Sequence, residues 1–266
     1  MQNQYSETMK IAQRVTLVGM LLDIVLGIAK ILVGTLAFSH ALIADGIHSL
    51  SDVVTDIFVL IITRISHHEP DIDHPYGHAR FEALGTVLLG GILVLVGVLL
   101  AYENITRLSE STDFRVPGWP ALVVAAISIA SKEWVFHYTR KAGEQLRSNL
   151  LIANAWHSRT DAFSSIIVLV GVAGSMLGFV WLDAVAAVVV AIILCKIGGG
   201  LMWDALKELV DTGLSPEETS ALKEAVMSIE GVRGVHDLRT RKMGENTFLD
   251  LHIRVSPRVS VSEGHQ

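Results

Sequence analysis

The chain has 266 residues, of which 51% are hydrophobic and only 18% charged, with a mean hydropathy of +0.48, a composition that points to a membrane protein rather than a soluble domain. A net charge of -6, from 21 basic and 27 acidic residues with no block of one sign, argues against a nucleic-acid partner. The lone cysteine, Cys195, excludes an intramolecular disulfide.

A polar start, residues 1–10, leads into an apolar run that is too long, and too interrupted by Asp23 and Lys30, to be a cleaved signal peptide, so it is expected to remain as a span. Six stretches can each cross about 30 Å of hydrocarbon: residues 11–35, 39–65, 81–102, 119–138, 150–177 and 180–203. The first two and the last two are joined so briefly that each pair is expected to form a tight hairpin. Basic residues in segments 67–80 and 140–147 place those loops in the cytoplasm, and an even number of spans then puts both termini there. Gly174 and Gly178 form a Gly-x-x-x-Gly pair that permits close helix approach or simply faces lipid.

From Asp211 the composition turns polar. Ser215, Pro216, Glu217 and Glu218 read as a helix start, Ala221, Leu222, Ala225, Val226 and Ile229 as its apolar stripe, and Gly231 as its end. Residues 235–241 and 248–255 read as two strands around a turn at Gly244, and 261–266 as the opening of another helix. One helix and two strands bury little core, so this tail domain is expected to be incomplete. The sequence therefore predicts an all-α polytopic membrane protein, a six-helix transmembrane bundle over residues 1–210, followed by a small cytoplasmic α/β domain over 211–266.

Chemistry concentrates in three places. In the second span, His48 and Asp52 stand four residues apart on one helix face, and in the fifth His157 and Asp161 repeat the spacing. Two imidazoles and two carboxylates suit a four-coordinate zinc ion, although iron, manganese and cobalt accept the same donors. The alternative is local capping or pairing, less natural for two such pairs because a carboxylate within a bilayer costs at least about 2.5 to 3.5 kcal/mol. Asp45 is read as a helix-start residue and Asp56 as a partner of Lys30 or Lys196, while Asp23 has no clear role. Lys132 and Glu133 are expected to neutralise each other, and Asn154 is a candidate donor behind the metal ligands. Asp71, His74 and His78 form a second metal-ligating group or an ordinary polar loop; His236, His252 and His265 in the tail read as surface histidines.

Four motifs together resemble the cation diffusion facilitator family: Ala-Asp-Gly-Ile-His-Ser-Leu-Ser-Asp (44–52), His-Pro-Tyr-Gly-His-Ala-Arg-Phe-Glu (74–82), Asn-Ala-Trp-His-Ser-Arg-Thr-Asp (154–161) and His-Asp-Leu-Arg-Thr-Arg (236–241). The resemblance, to its zinc and iron exporter branch, implies a homodimer of six-span subunits with a metallochaperone-like, ferredoxin-like tail. It implies Zn²⁺, with Fe²⁺ as second candidate, exported against protons through His48, Asp52, His157 and Asp161. It also implies a loop site at Asp71, His74 and His78, a partial tail site at His236, His252 and His265 for a structural or regulatory ion, and an Arg80–Asp211 pair. A histidine at position 48, where some bacterial zinc and cadmium exporters carry aspartate, favours zinc over cadmium. The expected location is a bacterial inner membrane. A metal-binding sensor or scaffold subunit without transport is the competing reading. No His-Glu-x-x-His motif marks a hydrolase, so no enzymatic activity is expected.

Overall fold

The computed structural model describes the backbone of residues 2–66, 68, 71–110, 115–146, 149–243 and 246–265, and side chains over the same residues except 2–13, 59, 60, 63, 64, 146, 149, 150, 153 and 265. Six long helices come first, α1 (Gln2–Leu36), α2 (His40–Ser66), α3 (Arg80–Glu110), α4 (Trp119–Leu146), α5 (Asn149–Met176) and α6 (Leu182–Leu209). The tail follows as α7 (Pro216–Met227), β1 (Gly234–Met243), β2 (Asn246–Arg254) and α8 (Val261–His265). The expected turn at Gly244 lies outside the described residues. Several helices outrun the apolar stretches that announce them: α3 continues to Glu110 and α4 to Leu146, because a helix in progress adds polar residues at little cost once nucleated.

Five segments among the described residues are long and apolar enough to cross a membrane: Arg14–Leu36, Arg80–Glu110, Trp119–Gln145, Asn154–Met176 and Leu182–Leu209. The described part of α2, which carries Asp45, Asp52 and Asp56, is not among them. Among the described residues five of the six expected spans are therefore found, and the count of six is not established by them.

The chain forms two compact units, one of Met1–Phe58 and Gly91–Gly199, the other of Val59–Gly90 and Gly200–Gln266. The first is built on small side chains: Ala41, Ala44, Ala121, Ala125, Ala186 and Ala187 meet in one buried cluster with Val168, Val172 and Val190. Within it α4 packs along both α1 and α5. α1 and α2 touch backbone to backbone, since a Cβ on Gly46 would stand 3.0 Å from the Gly27 carbonyl oxygen. Of the expected glycine pair, Gly174 lies against Leu182 of α6, whereas a Cβ on Gly178 would meet nothing within 4 Å. Gly178 takes φ +106° and closes the turn between α5 and α6, the backbone region glycine enters without strain.

The start of α2 is held from outside the helix. Ser39 donates to Asp183 Oδ1 at 2.7 Å and its Oγ accepts from the Leu42 amide at 3.1 Å, while the His40 amide donates to Asp183 Oδ2 at 2.7 Å. A buried carboxylate of α6 thereby satisfies amide donors that a helix N-terminus leaves unpaired. Asp45, expected near the helix start, lies more than a turn inside α2.

In the second unit, Ser215 caps α7 and Glu218 reaches back to the Ser215 amide, a reciprocal capping box. The helix ends at Ser228 rather than Gly231, whose φ of +92° serves the turn that follows. β1 and β2 pair antiparallel, His236 opposite His252 and Met243 opposite Asn246, with a register shift between His236 and Arg239.

Candidate metal centre

α2 supplies His48 and Asp52, and α5 supplies Asp161, to one group in which a ligand-type atom from each lies within 4.8 Å of the others. Donors bound to one tetrahedral zinc ion stand roughly 3.5 Å apart, so only a small contraction separates this arrangement from coordination. His48 Nδ1 and Asp52 Oδ2 are buried without a hydrogen-bond partner among the described residues. Buried polar atoms are seldom left so, and the donor set fits a cation. His157 borders the group rather than completing it: Nε2 is 4.0 Å from Asp161 Oδ2, but the side chain is 55% exposed. Asn154 is exposed.

The charges around this centre differ from those expected. Lys132 does not neutralise Glu133. Successive residues on a helix point about 100° apart, so Lys132 turns inward to Asp23 at 2.6 Å and Asp161 at 3.1 Å while Glu133 meets Arg159 at 3.5 Å and His137 at 3.2 Å. Lys30 pairs with Asp45 at 2.8 Å, not with Asp56, and donates to Ser49 and Ser165. Asp45 accepts from Ser164 and Ser165, each at 2.8 Å, which completes a buried polar network linking α1, α2 and α5. Lys132 and Lys30 are the residues that sequence reasoning undervalued; the available signal was that they share the apolar stretches with Asp23, Asp45 and Asp161, the carboxylates they meet.

The second group assembles in one turn. Asp71 Oδ1 lies 3.2 Å from His74 Nδ1, Asp71 Oδ2 lies 3.4 Å from His78 Nε2, and the two imidazole rings are 4.3 Å apart. The His74 amide donates to Asp71 Oδ1 at 2.6 Å, and this hydrogen bond holds the exposed Asp71 carboxyl below the usual carboxylate range.

The tail group contains His236 and His252 and adds Asp237. Adjacent residues of a strand normally face opposite sides. Here Asp237 sits in the bulge at φ +51° and its Oδ2 comes to 3.4 Å from His252 Nδ1, while His236 Nδ1 approaches the His252 carbonyl at 3.2 Å. The His265 side chain lies outside the described residues. Arg80 donates to Asp211 Oδ1, and Arg241, a partner not expected from sequence, approaches Asp211 Oδ2 at 3.9 Å.

The family described as cation efflux transmembrane domain matches residues 16–210, and the one described as cation efflux protein, cytoplasmic domain, matches 214–266. Metal tolerance protein C1 of Arabidopsis thaliana is 36% identical over 99% of this chain, which spans only 59% of that protein's length. Metal tolerance protein 2 of Oryza sativa subsp. japonica is 37% identical over 96% of this chain and 72% of its own length. Manganese efflux system protein MneP of Bacillus subtilis is 30% identical over 98% of this chain and 89% of its own length. With both family descriptions covering nearly the whole sequence, the chain belongs to the cation efflux (cation diffusion facilitator) family, multi-pass membrane transporters of divalent metal cations.

Proposed function

We propose that this chain exports Zn²⁺, with Fe²⁺ as the second candidate, from the cytoplasm in exchange for protons, through a site made by His48, Asp52 and Asp161 with His157 at its edge. The observation that carries the reading is the group on α2 and α5 whose buried His48 Nδ1 and Asp52 Oδ2 have no hydrogen-bond partner among the described residues. An imidazole among the donors favours zinc or iron over a harder, oxygen-preferring ion. Metal binding requires neutral imidazole and ionised carboxylate, so protons arriving from the far side compete for the same atoms and drive release. Alternating exposure of the site by rigid shifts of helices follows the general design of secondary transporters.

The reading includes six spans, α2 among them, with both termini in the cytoplasm of a bacterial inner membrane. Residues 1–210 form the transport domain and 211–266 a cytoplasmic domain through which two copies pair. The Asp71, His74 and His78 group and the His236 and His252 group, with His265, hold further metal ions, and the Arg80–Asp211 pair braces the tail connection. Manganese is the competing cargo, because two relatives are named for manganese efflux.

Proteoliposomes enclosing a pH-sensitive dye test metal and coupling together. The expected ranking has Zn²⁺ and Fe²⁺ ahead of Mn²⁺ and Cd²⁺, each transported ion accompanied by counter-flow of protons. Manganese first, or flux without proton movement, would overturn the corresponding half of the reading.

A further inference from the structure

Lys132 is almost fully enclosed, with 1% of its side chain exposed, and its ammonium touches two carboxylates of different standing. Asp161 belongs to the buried group with His48 and Asp52, whereas Asp23, on α1, does not. The ammonium is 3.1 Å from Asp161 Oδ2 and 2.6 Å from Asp23 Oδ1. Asp161 Oδ2 is also the atom facing His157 Nε2, so a cargo ion drawn toward that edge of the group meets an oxygen already engaged by a cation of the protein itself. Two positive charges cannot share one carboxylate oxygen in a poorly screened interior without strong repulsion. The ammonium has a second anion in hand, and release of Asp161 would leave it paired with Asp23.

We propose that Lys132 is a tethered competitor for the cargo ion, a positioning residue that holds Asp161 before metal arrives, yields it by retiring onto Asp23, and returns to help expel the metal. The inference rests on the proposed transport site. Its consequence is a pair of opposite signs. Removing the ammonium leaves Asp161 free for metal, and removing its resting place makes it cling harder to Asp161. A lysine that only supports the fold would weaken metal handling in both cases.

The test is the concentration of Zn²⁺ giving half-maximal flux in proteoliposomes of the full chain. Lys132→Met combined with Asp23→Asn, which keeps the pair neutral and removes no packing volume to speak of, is expected to lower it about tenfold or more. Asp23→Asn alone is expected to raise it, and Lys132→Arg to stay near wild type. A half-saturating concentration that is unchanged or raised in the double variant overturns the proposal. Asp52→Ala in the same assay separates this from the underlying reading: wild-type flux there would mean that the transport site itself is misplaced, whatever Lys132 does.

Discussion

Lys30 on α1 and Asp45 on α2 form an ion pair at 2.8 Å with both side chains withdrawn from the surface, and Ser49, Ser164 and Ser165 satisfy their remaining polar atoms. The pair joins two helices that already meet backbone to backbone at Gly27 and Gly46.

Breaking this pair from one side leaves an uncompensated buried charge. Lys30→Met alone is expected to cost about 3 to 5 kcal/mol of stability, visible as a large fall in the thermal unfolding midpoint in detergent. Lys30→Met with Asp45→Leu should recover much of the loss, since an apolar pair of similar volume is tolerated where a lone charge is not.

Asp183 caps α2 from another helix, so Asp183→Ala should fray the first turn of α2. Faster hydrogen exchange at the His40, Ala41 and Leu42 amides is the expected result, with exchange near the middle of α2 little changed.

In the tail, Glu218 accepts from the Ser215 amide, and this bond holds the Glu218 carboxyl below its ordinary value. A lowered carboxyl contributes stability that is present above its ordinary pKa and lost as pH falls through the lowered one. The first turn of α7 should therefore stay protected from exchange at neutral pH and open only in acid below the normal glutamate range. Ser215→Ala, which removes the other half of the capping box, should cost about 1 kcal/mol and expose the same turn at neutral pH.

His48→Asp replaces a nitrogen donor with a carboxylate. It should admit Cd²⁺ while zinc flux continues, measured as the ratio of the two in proteoliposomes. An unchanged ratio would count against His48 as the residue that excludes cadmium.

The long helices were legible because extended apolar runs of this length suit helices, and the neighbourhood of His48 and Asp52 because a four-residue step stacks side chains on one face. What escaped the sequence was set by partners far along the chain. Lys132 next to Glu133 suggested a local pair, but on a helix those side chains diverge, and the partners that matter are Asp23 and Asp161 on α1 and α5. Asp45 looked like a cap only because the actual caps, Ser39 and Asp183, come from opposite ends of the first unit's sequence. Asp237 was hidden by strand alternation, which its bulge breaks. At His157 the same spacing on α5 leaves the imidazole more exposed than its partner carboxylate, Asp161.

The central claim is that cargo passes through the group made by His48, Asp52 and Asp161. Its most direct test is metal-driven proton flux in proteoliposomes of Asp52→Ala and of Asp161→Ala, each compared with wild type at equal amounts of folded protein. Flux is expected to be abolished in both variants, and wild-type flux in both would overturn the claim.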